Sequence, residues 1–213
     1  MTDPTAGQRN KADIFTPREQ KKLLEYLTAN RSYRNYGIYL AITAGVTSGE
    51  LCSLRWKDID FAAKVLHIRG FLSYRREQDE ETGEEKWTAY SEEKTAPRDI
   101  PLAPQQLRFF KKEEGLHHPE HFLLTGGDNP LSTRALQLHV AGLFKNLNIK
   151  GHQFKDLRHT FAVRCLESGC NYNSLATLLG ITDVNNLIKT YGKYVKQDLR
   201  RDMERMMEGM TAD

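Results

Sequence analysis

The chain has 213 residues, of which 39% are hydrophobic and 28% charged, with a formal net charge of +3. That apolar content suffices for one compact domain with a core, nothing suggests a second large one, and the small net charge means that any nucleic-acid surface must come from local clusters of Lys and Arg. Cys52, Cys165 and Cys170 lack paired spacing and read as small core residues of a reduced, cytoplasmic protein, while no apolar run approaches the ~18 residues of a membrane span or forms a leader.

In chain order, residues 1–12 are polar and aperiodic and are expected to be a disordered lead or an expression remnant, with structure beginning near Asp13. Thr16 followed three residues later by Glu19 is a capping box, Pro17 suits the first helical position, and Leu23, Leu24 and Leu27 supply an apolar stripe, so a helix runs to about Asn30. A second helix is expected over residues 33–43, with Tyr36, Leu40 and Thr43 on one side and Gly45 ending it, and a third over residues 48–54. From Ile59 the pattern turns to strands at residues 65–68, 71–75 and 87–90, with an acidic, solvated hairpin tip around Gly83. Arg98, Ile100 and Leu102 close the sheet. Beyond Pro104 the chain reads as helical, with breaks at residues 126–130 and 148–151, at Gly169 and at Gly180. The expected fold class is α+β, mostly helical with a small three-stranded antiparallel sheet.

Four blocks carry a resemblance to a known family. Residues 45–60 (GVTSGELCSLRWKDID) look like a TGxRxxELxxLxWxDID block, with Glu50, Leu51, Leu54, Trp56 and the Asp58-Ile59-Asp60 turn in register. Lys94 precedes Arg98-Asp99-Ile100-Pro101-Leu102, similar to a lysine hairpin ahead of an R-x-I-P-L strand. Residues 155–162 (KDLRHTFA) are similar to HDLRHTFA, and Leu178-Leu179-Gly180 followed by Thr190-Tyr191 to an LLGH...TY segment. Together the blocks, in this order, resemble the catalytic domain of the tyrosine recombinase (phage integrase) family, spanning about residues 13–196.

Cleaving and rejoining a phosphodiester without metal needs a covalent nucleophile, cations that hold the pentavalent phosphate's charge, and an acid for the leaving 5′ oxygen. The resemblance implies Tyr191 as nucleophile, Arg158 as a bidentate phosphate grip, Lys94 as general acid and Lys155 as a further cation on a phosphate oxygen, with His159 a candidate contributor of a proton or a phosphate contact. Two positions depart from the pattern: Thr47 stands where the family has its first active-site arginine, and Ile181 where it has histidine or tryptophan. Arg55, in the framework LRW segment, does not take over from Thr47. Three readings follow: a recombinase with slow or partner-dependent strand exchange, a binding protein that has lost catalysis and acts as a regulator or accessory factor, and an engineered or mutant replacement of arginine at position 47 that traps a DNA complex.

The implied partner is double-stranded DNA, met by some of Arg69, Arg75, Arg76, Arg98, Lys145, Lys150, Lys155, Arg158, Arg164, Lys189 and Lys193. The tail, residues 197–213, reads as a short helix with Leu199, Met203, Met206 and Met207 apolar, and by resemblance it docks on a neighbouring protomer, making a homo-oligomer on DNA. Family members generally carry an added N-terminal domain that closes around DNA, so the chain is expected to be either an excised catalytic domain or a natural short form. No cofactor, metal or membrane partner is expected. His117, His118 and His121 lie near Glu113, Glu114 and Glu120 but lack HExxH spacing, and no Gly-rich phosphate loop is present.

Overall fold

Thr16 opens the first helix as its spacing predicts. Its Oγ1 accepts from Glu19 N at 3.2 Å while Glu19 Oε2 accepts from Thr16 N at 2.9 Å, and Pro17 takes the first turn of α1 (Pro17–Ala29). The computed structural model describes residues 14–78 and 85–194 and the tail positions 203, 204, 207, 208 and 210. Expectations for residues 1–12, for the tip of the hairpin and for most of the tail lie outside the described residues.

The next helix, α2 (Tyr33–Ala44), is capped by Ser32 and ends at Gly45 in the left-handed region, φ 67°. It was expected to bury one side, yet residues 35–42 and Ala44 are all buried. An apolar sequence on every face requires neighbours on every face, and α2 packs against α1, α3 (Ser48–Ser53), α5 (Thr133–Asn146) and α6 (Phe154–Glu167). It is the axis on which the core is built.

The sheet is three-stranded and antiparallel, in the order β1 (Ile59–Asp60), β2 (Val65–Gln78), β3 (Glu85–Pro101). The two long strands replace the shorter segments expected, because the pairing continues through Gly70 and past Ser73↔Tyr90 out to Gln78↔Glu85. The register breaks once. Ile68 pairs with Arg98 and Gly70 with Glu93, so residues 94–97 of β3 face only Arg69 of β2. This irregularity bends β3 and turns Lys94 toward the body of the domain.

Beyond β3 come α4 (Pro104–Phe110), an irregular connection, α5, α6, α7 (Tyr172–Leu179) and α8 (Val184–Tyr191), with chain breaks at the expected positions around Gly126, Gly151, Gly169 and Gly180. The main core gathers α1 to α5 and the sheet around Phe15, Leu40, Leu51, Leu66 and Phe110. A second cluster, Val163, Leu166, Leu175, Leu179, Leu187 and Tyr191, joins α6, α7 and α8. Among the described residues no helix is long and apolar enough to cross a membrane, and no group of three or more His, Cys, Asp or Glu side chains is gathered that could hold a metal ion.

Candidate active site

Two separated segments, the start of α3 and strand β3, converge on one carboxylate. Glu50 is 1% exposed at the third position of α3. Its Oε2 accepts from Thr47 N at 2.9 Å, and Thr47 Oγ1 accepts in turn from Glu50 N at 3.3 Å, a second capping box. The same carboxylate takes both ends of the Arg98 guanidinium, Nη1 to Oε1 at 2.7 Å and Nη2 to Oε2 at 3.0 Å, and the Lys94 ammonium on Oε1. Burial acts to raise the Glu50 carboxyl, but Arg98, Lys94 and the Thr47 N–H outweigh it and hold the group at about 2.

Lys94 therefore does not stand free on the hairpin: its side chain is 20% exposed and tied to Glu50. Arg98 requires a correction. It was placed among the cations facing a duplex, yet it is 6% exposed, with its Nε on Leu178 O at 2.7 Å and its Nη groups spent on Glu50. It is a buried strut between β3, α3 and the end of α7 rather than an exposed cation.

Arg158, in the first half of α6, spans the carboxyl ends of two helices. Nη1 donates to Gly45 O at the end of α2 and Nη2 to Leu179 O at the end of α7, each at 2.7 Å. Helix C-termini carry unsatisfied carbonyls and partial negative charge, so a cation is held there with its orientation set. These two bonds use two of the five guanidinium N–H groups. Both helix ends are closed by left-handed glycines where a side chain has no room. A Cβ on Gly45 would lie 2.6 Å from Phe161 Cδ1, and one on Gly180 2.9 Å from Arg98 Nη1. Burial lowers the Arg158 pKa from its ordinary value, with Glu50 opposing and Arg98 adding to the shift.

Tyr191, the last residue of α8, is 4% exposed, and His159 Nδ1 lies 2.8 Å from its phenolic oxygen. Burial raises the phenol above its ordinary value, and the Arg158 charge pulls against that rise.

Lys155 is exposed in the first turn of α6. Ile181 is half-buried against the second cluster and supplies no polar side-chain group. Among the remaining cations, Lys145, Lys150, Lys189 and Lys193 are exposed. Arg69 pairs with Asp99, Arg75 with Glu92 and Arg76 with Glu85. Arg164 bonds Phe15 O at 2.8 Å and Gln20 Oε1 at 3.1 Å, fastening the start of α1 to α6.

The structure thus forms two groups, Tyr191 with His159 beside Arg158, and Glu50 with Thr47, Lys94 and Arg98, which meet at the end of α7, where Arg158 bonds Leu179 O and Arg98 bonds Leu178 O. The sequence placed Glu50 in register with the family block without marking it as a site residue. The T-x-x-E spacing of Thr47 and Glu50 was a local signal that this glutamate is oriented.

This arrangement of helices, sheet and converging side chains defines the catalytic-domain fold of an integrase, and the chain belongs to the phage integrase family, whose model matches residues 13–198. Among curated relatives it is similar to a tyrosine recombinase XerC-like protein of Caldanaerobacter subterraneus subsp. tengcongensis, 22% identical over 197 residues that cover 84% of this chain and 50% of the relative. It is also similar to the tyrosine recombinase XerC of Xanthomonas axonopodis pv. citri, 26% identical over 67% of this chain and 41% of the relative. The chain spans about half the length of the curated relatives it matches. The fold is shared with the Tn1549 transposon integrase solved with circular intermediate DNA, at a TM-score of 0.67 and 21% identity over 93% of this chain and 68% of that one. It is shared as well with XerA recombinase, at a TM-score of 0.62 and 19% identity over 92% and 65%.

Proposed function

We propose that this chain binds double-stranded DNA and cleaves and rejoins its strands through a covalent bond to Tyr191. The observation that carries the reading is geometric: the buried Tyr191 phenol at the end of α8 is held 2.8 Å from Nδ1 of His159, the residue next to Arg158, whose guanidinium is preset by two carbonyls. Arg158 grips the scissile phosphate with its remaining donors, Lys94 protonates the leaving 5′ oxygen once Glu50 releases it, and exposed Lys155 holds a non-bridging oxygen. The test is incubation with nicked duplex drawn from the DNA flanking the protein's own coding region. A covalent protein–DNA adduct lost in Tyr191→Phe supports the reading; an adduct that survives this change overturns it.

Thr47 favours a second reading, a DNA-binding regulator or accessory factor without catalysis. Its side chain is an N-cap and brings no charge to the phosphate, and loss of one preorganised charge donor costs on the order of 10²–10³ in rate. Under this reading the adduct is absent while DNA binding persists.

The tail is proposed to dock on a second copy of the chain when both sit on DNA. Met203 and Met210 are 57% and 74% exposed, apolar side chains on the outer face of the tail. Deleting residues 197–213 is expected to reduce the mass of the DNA-bound assembly measured by light scattering, and an unchanged mass counts against docking.

A further inference from the structure

A phenol is a poor nucleophile at neutral pH, and burial makes Tyr191 a weaker acid still. With Thr47 in place of a cation, the site has fewer charges with which to stabilise a phenolate, so the proton must be taken as the bond to phosphorus forms. The group in position to take it is one residue beyond Arg158 on α6: His159 Nδ1 is 2.8 Å from the Tyr191 oxygen, within the reach required of a general base. Lys155, one turn earlier on the same helix, is an ammonium with donors only.

We propose that His159 is a catalytic residue, the general base for Tyr191 in strand cleavage and the acid that returns the proton in religation. This rests on the cleavage reading above. In cleavage the Tyr191 oxygen bonds to phosphorus as its proton passes to His159 Nδ1, and the bond from phosphorus to the 5′ oxygen breaks as that oxygen takes a proton from Lys94. In religation the 5′ hydroxyl gives its proton back to Lys94 and attacks phosphorus, and the phenolate leaves, protonated by the His159 imidazolium. Atoms and protons balance without a co-reactant.

The surroundings favour the neutral, proton-accepting ring before the reaction. Burial lowers the His159 pKa, Asp156 works against that shift, and Lys155 and Arg158 on the same helix add to it; across the contact, on α8, stands the Tyr191 phenol. The imidazole is half-buried, with its ring centroid 5.7 Å from that of Tyr191 and the planes inclined at 53°.

Two measurements test the proposal. The first needs no DNA: ¹⁵N NMR of the ring nitrogens is expected to show a neutral His159 carrying its proton on Nε2, with an Nδ1 resonance that moves in Tyr191→Phe. A proton on Nδ1 at neutral pH overturns the assignment. The second is single-turnover adduct formation on the nicked duplex described above, with Thr47→Arg as the parent should the unmodified chain give no adduct. His159→Ala is expected to slow the step about 10²–10⁴-fold, and free imidazole to restore at least about tenfold, rising with the unprotonated fraction. His159→Gln, which keeps a polar side chain of similar size but cannot take the proton, is expected to melt like the parent and to react as slowly as His159→Ala. A His159→Ala rate within about threefold of the parent, against an effect of that size, or a loss that imidazole leaves untouched, overturns the base role. If neither parent forms an adduct, the cleavage reading fails, and the NMR result still decides whether His159 is placed to accept the Tyr191 proton.

Discussion

At the scale of single residues, Glu50 decides the architecture of the site. It is a buried carboxylate with three partners, the Thr47 N–H, Arg98 and Lys94, and removing it leaves Arg98 buried without its counter-charge. Glu50→Ala is therefore expected to destabilise the fold by about 3–5 kcal/mol in urea unfolding. The pH dependence follows from the depressed pKa. The unfolded carboxyl titrates near 4.5 and the folded one at about 2, so this contribution is complete above the first value and is lost as pH falls toward the second. Thr47→Arg acts in two directions: it removes the N-cap of α3, costing about 0.5–2 kcal/mol, and it adds a cation beside the phosphate, raising adduct formation on the order of 10²–10³-fold. A thermal melt and a single-turnover assay on the same preparation separate the two effects. Tyr191 and Arg158 drew attention in the sequence because each stands in a short motif. The inward turn of Arg98 was not, because its partner Glu50 is 48 positions away and no local spacing reports a contact of that range.

At the scale of elements, local signals located ends better than faces. Thr16, Glu19 and Pro17 set the start of α1 through hydrogen bonds confined to four residues, and Gly45 ended α2 because its φ of 67° suits glycine. The burial of α2 on all sides is a tertiary outcome: the periodicity of Tyr36 and Leu40 marks one apolar face, but α6, α3 and α5 supply neighbours for the others. The β2–β3 hairpin shows the same division. Its strands were legible from alternation, while the break between Ile68 and Gly70, which places Lys94 on Glu50, depends on four residues of one strand facing one of the other. Gly45→Ala tests how far helix termination supports the site. The left-handed φ and the 2.6 Å approach to Phe161 Cδ1 predict a loss of more than about 1 kcal/mol and a displaced carbonyl acceptor for Arg158. A crystal structure of the variant with the Arg158 to Gly45 bond intact would remove that link.

At the scale of the whole molecule, the second cluster makes α6, α7 and α8 one packed unit, so Arg158, His159 and Tyr191 keep their mutual geometry wherever that unit moves. The net charge of +3 gives no strong global field, and duplex binding is expected to depend on exposed lysines near the site. Lys155→Ala and Lys189→Ala should each reduce the slope of log affinity against log salt by about 1, whereas Arg164→Ala, whose guanidinium is engaged with Phe15 O and Gln20, should leave the slope unchanged and lower the melting temperature. Fluorescence anisotropy across a salt series reads the first effect. The most direct test of the account is the location of the covalent bond: digest the adduct formed on nicked duplex and sequence the modified peptide by mass spectrometry. The account predicts a nucleotide phosphate on Tyr191. Attachment at any other residue, or no adduct even with Thr47→Arg, would contradict it.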